Sequence, residues 1–187
     1  MSSTRVVPGE PHWFHRHHCW GAHIPSLAMR SWLFDEGSLT QRLKAICEDD
    51  FRVEVQQRVW QHVEMNECRV LQLRGAEFAY VREVILYCRQ RPMVFARTVI
   101  PALTVQRHQY LLMLGNKPLG AALFADPKMH RGPIEITCLT PKQKLFRRVV
   151  TCISEKPDQV WGRRSLFRLR TDPLLVAEYF LPDGVPI

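Results

Sequence analysis

Residues 80–88 and 93–100 are two nearly unbroken apolar runs, and only Arg89-Gln90-Arg91-Pro92 lies between them. Both have strand length, and so short a link suits an antiparallel hairpin, which predicts sheet at the centre of this chain. Pro101 should close the second strand, since proline has no N–H to give to a ladder. Upstream, Phe51, Val53 and Val55 alternate with Arg52, Glu54 and Gln56, the period-two signature of a strand, which resumes over 59–63. Residues 134–139, 160–169 and 174–181 supply three more strands, the last two joined by a tight hairpin at 170–173. The run 160–169 is the most charged and is expected at an edge.

Helical spacing is clearest in three places. Residues 25–34 read as a short helix. Ser38 can cap a second, in which Leu39, Leu43, Ile46 and Cys47 share a face before Glu48-Asp49-Asp50 ends it. Residues 106–114, ended by Gly115, and a short helix opened by Pro118-Leu119-Gly120 and running to Phe124 form a helix-turn-helix insertion. The expected fold is therefore α+β: a single domain with an antiparallel sheet of about six strands and helices on one face. Its 187 residues suit one domain, drawn at 25–187, behind an irregular His- and Pro-containing extension at 1–24.

The chain carries 26 Lys+Arg against 18 Asp+Glu, a net charge of +8. The basic residues are spread along it without a recognised nucleic-acid-binding pattern, so no nucleic-acid partner is predicted and the charge is assigned to attracting a small polyanion. The apolar stretches 98–105 and 118–125 fall far short of the roughly 20 residues a membrane helix needs, and no secretory signal opens the chain, which predicts a cytoplasmic protein with no membrane partner. A monomer is expected. None of the six cysteines has C-x-x-C spacing, and they are read as reduced thiols packing as small hydrophobes. His12, His15, His17, His18, Cys19 and His23 match no standard zinc spacing, so no metal is predicted.

The most informative feature is where charge interrupts an apolar row. Side chains two apart on a strand share a face, which puts Arg82 with Tyr80, Val84, Leu86 and Cys88. Arg97 joins Met93, Phe95 and Val99, and Glu178 joins Leu174, Val176 and Phe180. Burying an unpaired ion costs several kcal/mol, so these groups must meet one another or a ligand. Two readings follow: an interior site for a carboxylate-bearing small molecule, or a buried Arg–Glu pair with the second arginine reaching solvent past its apolar stem.

Five strings around these residues occur in one order: Val81-Arg82-Glu83-Val84-Ile85-Leu86, Ala96-Arg97-Thr98-Val99-Ile100-Pro101, Leu114-Gly115-Asn116-Lys117-Pro118-Leu119-Gly120, Trp161-Gly162-Arg163-Arg164-Ser165 and Glu178-Tyr179-Phe180-Leu181-Pro182. Together with residues 32–43 they resemble the chorismate pyruvate-lyase family, over most of 25–187. The resemblance implies helix-turn-helix flaps closing over an internal cavity, and elimination of pyruvate from chorismate to give 4-hydroxybenzoate for ubiquinone biosynthesis, without metal or other cofactor. It assigns ligand binding and catalysis to Arg82 and Glu178, places Leu39 and Leu119 on the flaps as binding residues, and sets Arg97 beside the cavity as a further binding residue. A closed cavity also implies that flap opening limits turnover.

Three positions depart from the family pattern. Leu39 stands where methionine is familiar, Ala96 where glycine is expected, and the stretch 137–160 is longer than usual and is expected to be a surface embellishment in which residues 145–153 form an extra strand or helix. The alternatives are a non-enzymatic effector-binding module of the same fold and a related chorismate-derived hydroxybenzoate synthase. Against the first, the two dozen residues before Pro25 are too few for a winged-helix DNA-binding region. A basic RNA-binding protein is a third reading.

Overall fold

The computed structural model describes residues 8–15, 24–74 and 77–182. The strands are β1 (Phe14–His15), β2 (Phe51–His62), β3 (Phe78–Cys88), β4 (Arg91–Pro101), β5 (Met129–Arg131), β6 (Glu135–Leu139), β7 (Val160–Leu169) and β8 (Asp172–Phe180). They form one antiparallel sheet in the order β1-β6-β7-β8-β4-β3-β2, with β5 pairing the far end of β7. The helices are α1 (Leu27–Leu33), α2 (Leu39–Cys47), α3 (Met65–Leu71), α4 (Ala102–Arg107), α5 (Leu119–Phe124) and α6 (Lys144–Val149). The α+β class and the antiparallel sheet are as expected, with eight strands in place of about six.

The central hairpin is tighter than its sequence suggested. Arg89 and Gln90 both take positive φ, 47° and 67°, in a two-residue turn whose twist matches that of the flanking strands. β2 is one continuous strand. Its alternation falters in the sequence because a bulge between Val55 and Gln57 absorbs one residue and resets the register against β3.

Several expectations need correction. β7 is not an edge strand: it lies between β6 and β8, and its charges are tolerated there because Arg163 pairs with Glu178 and Arg164 with Glu135. The helix expected over 106–114 is α4 followed by a 3₁₀ turn at Gln109–Met113. The break falls at His108, whose ring lies 3.0 Å from Asp172 at the start of β8. Helices cover both faces of the sheet, because both rows of the central strands are apolar and each needs a packing layer. On one face α1 and α2 set Trp32, Leu33, Leu39 and Leu43 against Val84, Leu86 and Phe180. On the reverse, α3 brings Leu71 to Val81, Val99 and Leu175, and α6 brings Phe146 and Val149 to Ile85, Phe95 and Tyr179. The long stretch 137–160 thus contributes a core-covering helix.

Gly162 is dictated by close approach, since a Cβ there would fall 2.5 Å from the ring of fully buried Tyr179. Part of the N-terminal segment is ordered on the sheet. The Glu10 carboxylate accepts the N–H groups of Met65 and Asn66 at the start of α3, Trp13 lies under the Arg164 guanidinium, and β1 pairs with β6. His17, His18, Cys19 and His23 lie outside the described residues. Cys47 and Cys88, read as reduced, are joined in a disulfide between the end of α2 and the end of β3, with Cα atoms 5.2 Å apart.

Candidate active site

The face of the sheet beneath α2 and α5 is hollow. Arg82, Val84 and Leu86 of β3, Ala96 and Thr98 of β4, Arg163 and Phe167 of β7, and Val176 and Glu178 of β8 form the floor. The first turns of two helices form the roof. Ser38 ends an extended stretch, accepts the Gln41 N–H and starts α2, which lays Leu39 and Thr40 over the cavity. Pro118 starts α5 and lays Leu119 and Gly120 beside them. The two roof elements touch: a Cβ on Gly120 would stand 3.1 Å from the Thr40 hydroxyl, so glycine is what lets them close on each other.

Arg82 is 2% exposed and faces no carboxylate among the described residues. Its Nη2 donates to the carbonyls of Gly115 and Lys117, 2.9 and 3.0 Å away in the loop before α5, while its buried Nε has no partner. Burial pulls its pKa below the usual guanidinium range, opposed by Tyr80 and reinforced by neighbouring Arg58. Arg163 is 1% exposed; its Nε donates to Glu178 Oε2 at 2.6 Å and its Nη1 to the carbonyls of Trp32 and Asp35, both at 2.7 Å. Arg131 completes the lining from β5, with Nε on the Ser165 hydroxyl and Nη1 on the Glu36 carbonyl at 2.9 Å. Burial lowers its pKa as well, and nearby Arg163 adds to the effect. Both roof loops are therefore tied to the floor through arginines.

Of the residues singled out from the sequence, Arg82, Glu178, Leu39 and Leu119 come together around this cavity. Arg97 does not. Its side chain points to the reverse face, where Nε and Nη2 donate to Glu67 at 2.7 and 2.9 Å and Nη1 donates to Glu83 at 2.6 Å; Glu83 also pairs with Arg148. Despite its burial, these two carboxylates hold the Arg97 pKa far above the usual range. The misplacement has a simple origin: Arg82 and Arg97 each sit in an apolar row, but alternation does not say which face a row belongs to. The pairing of Glu83 with Arg97 and of Ala96 with Glu178 puts the two arginines on opposite sides.

Two site residues escaped sequence reasoning. Arg163 shares a row with Trp161, Phe167 and Leu169 and would have passed the same test. Adjacent Arg164 disguised it as part of a solvated strand. Arg131 stands on a strand of three residues, too short for any periodicity to mark it.

The whole of this geometry falls within the span matched by a family model described as chorismate lyase, residues 18–185. The chain belongs to the chorismate lyase family. Relatives in the family include a probable chorismate pyruvate-lyase of Methylococcus capsulatus, 44% identical over 155 residues that make up 82% of this chain and 94% of that protein. Another, from Aromatoleum aromaticum, is 41% identical over 82% of this chain and 84% of the relative. Among solved structures, the effector domain of PhnF from Mycobacterium smegmatis shares the fold, with a TM-score of 0.58 and 13% identity over 79% of this chain and 90% of that one. At that identity the likeness extends to architecture alone, so the chorismate lyase assignment rests on the relatives and the family span.

Proposed function

We propose that this chain is a chorismate pyruvate-lyase, converting chorismate to 4-hydroxybenzoate and pyruvate and so feeding ubiquinone biosynthesis. The observation that carries the reading is Arg82: a buried guanidinium with an unpartnered Nε and no opposing carboxylate among the described residues, on the floor of a roofed cavity. Such a group is costly in an empty protein and is compensated by an anionic ligand. The relatives named probable chorismate pyruvate-lyase support the choice of anion.

The chemistry asks little acid–base help of the protein. The ether C–O bond at the ring carbon next to the hydroxylated one breaks, and the hydrogen on the hydroxylated carbon passes to the enolpyruvyl methylene through a six-membered array. The ether oxygen becomes the keto oxygen of pyruvate, and the ring becomes aromatic. What remains for the enzyme is orientation, exclusion of water and stabilisation of charge on the departing oxygen. Arg82 binds a carboxylate, and Glu178, whose Oε2 is taken by Arg163, accepts the ring hydroxyl on Oε1. Leu39 and Leu119 close over the ring.

Incubating the purified chain with chorismate tests this directly. The expected result is 4-hydroxybenzoate and pyruvate in equal amounts. Production of 3-hydroxybenzoate or salicylate, or an absence of turnover with tight chorismate binding, would overturn it.

A further inference from the structure

Chorismate is a dianion, and its two carboxylates are attached at different ends of the ring. The cavity offers three guanidinium groups, Arg82, Arg131 and Arg163, against the single carboxylate of Glu178. The charge of Arg163 is matched by Glu178, 2.6 Å from its Nε, whereas Arg82 and Arg131 have no carboxylate partner among the described residues. That leaves two cations for two anionic groups. We infer that Arg131 is the receptor for the enolpyruvyl carboxylate, a residue to which the sequence assigned no role; the inference rests on the function proposed above.

The constitution of the substrate decides which arginine takes which group. The ring carboxylate lies para to the hydroxyl, whereas the enolpyruvyl ether is on the carbon next to the hydroxyl. With the hydroxyl on Glu178, the ring carboxylate must point away from Glu178 and the enolpyruvyl group must lie alongside it. Arg131 is the arginine that meets that second requirement. Arg131 Nη1 and Arg163 Nη1 both reach the Asp35 carbonyl, and Arg163 Nε holds Glu178, so Arg131 stands beside the Arg163–Glu178 pair, whereas Arg82 is tied to the Gly115 and Lys117 carbonyls in the loop before α5. Arg82 accordingly holds the ring carboxylate beneath the α5 flap.

The side chain of Arg131 is also prepared for the task. Nε is fixed by Ser165 and Nη1 by the carbonyls of residues 35–37, while the guanidinium lies 5.4 Å from the ring centroid of Phe167. Nη2 has no protein partner among the described residues. Because Arg131 grips the loop that leads into α2, a carboxylate bound on it also bears on the first flap.

The inference separates substrate from product, because 4-hydroxybenzoate keeps the ring carboxylate and the hydroxyl but has lost the enolpyruvyl carboxylate. Arg131→Ala and Arg131→Gln should each raise KM for chorismate roughly 10–100-fold, the worth of a charge-assisted hydrogen bond, while the inhibition constant of 4-hydroxybenzoate stays within about twofold. The Gln variant keeps an N–H donor for the loop carbonyls and serves if the Ala variant does not fold. Equal weakening of substrate and product would mean that Arg131 only holds the flap or binds the ring carboxylate, and an unchanged KM would mean that it binds neither; either result overturns the inference. A wild-type chain without pyruvate production would instead overturn the proposed function.

Discussion

A buried cation without a counter-ion costs stability unless a ligand offsets it, and Arg82 is such a group among the described residues. Replacing it with an apolar side chain of similar length should separate the two. Arg82→Met is expected to lower kcat/KM for chorismate by at least about 100-fold while leaving the denaturation midpoint unchanged or raised, measured by steady-state kinetics and urea titration. Near-wild-type turnover would remove Arg82 from the site. Glu178 asks a different question, since a general base contributes about 100-fold or more and a hydrogen-bond acceptor much less. Glu178→Gln should keep kcat within about tenfold of wild type, with the larger effect in KM. A deeper loss of kcat would assign the carboxylate a proton transfer. These two residues were legible in the sequence because each is a lone charge in an apolar row. Arg163 was equally legible but was masked by its neighbour, and Arg131 was not legible at all.

β4 carries the division between function and support along a single element. Its even-numbered residues Ala96 and Thr98 line the cavity, while odd-numbered Arg97 locks into Glu67 and Glu83 on the reverse face. Removing one member of a buried ionic network leaves its partners charged and unsatisfied, at a cost of about 3–5 kcal/mol. Arg97→Met should therefore destabilise the protein by that order in chemical denaturation, in contrast to Arg82→Met. Equal stability of the two variants would show that the reverse-face network does not support the sheet. Position 96 has a related logic: Ala96 pairs with Glu178 across the sheet, so its methyl lies on the cavity floor next to that carboxylate. The flaps show how little of an element's role its length conveys. α5 has six residues, yet Pro118, Leu119 and Gly120 place its first turn against Thr40 of α2 and close the roof.

At the scale of the molecule, the Cys47–Cys88 disulfide fastens the far end of the first flap helix to the central hairpin, across 41 residues of chain. Closing a loop of that length in the unfolded chain corresponds to about 4 kcal/mol on the chain-entropy model. Cys47→Ser combined with Cys88→Ser should lower unfolding stability by up to that amount under oxidising conditions, and a reducing agent should reproduce the loss in the wild type. Identical denaturation curves with and without reductant would show that the bond does not contribute. No helix among the described residues is long and apolar enough to cross a membrane. The sequence by itself determined the antiparallel hairpin, the Ser38 and Pro118 helix starts, and the presence of Arg82 and Glu178 in apolar rows, because period and capping chemistry are local properties of the chain. Only the tertiary structure decided that Arg97 faces away from the site, that β7 is interior, that α6 covers the second face, and that Arg163 and Arg131 complete the cavity. Those outcomes depend on which face of a strand meets which layer and on register between distant segments, and a single strand's alternation is the same whichever side of the sheet it buries.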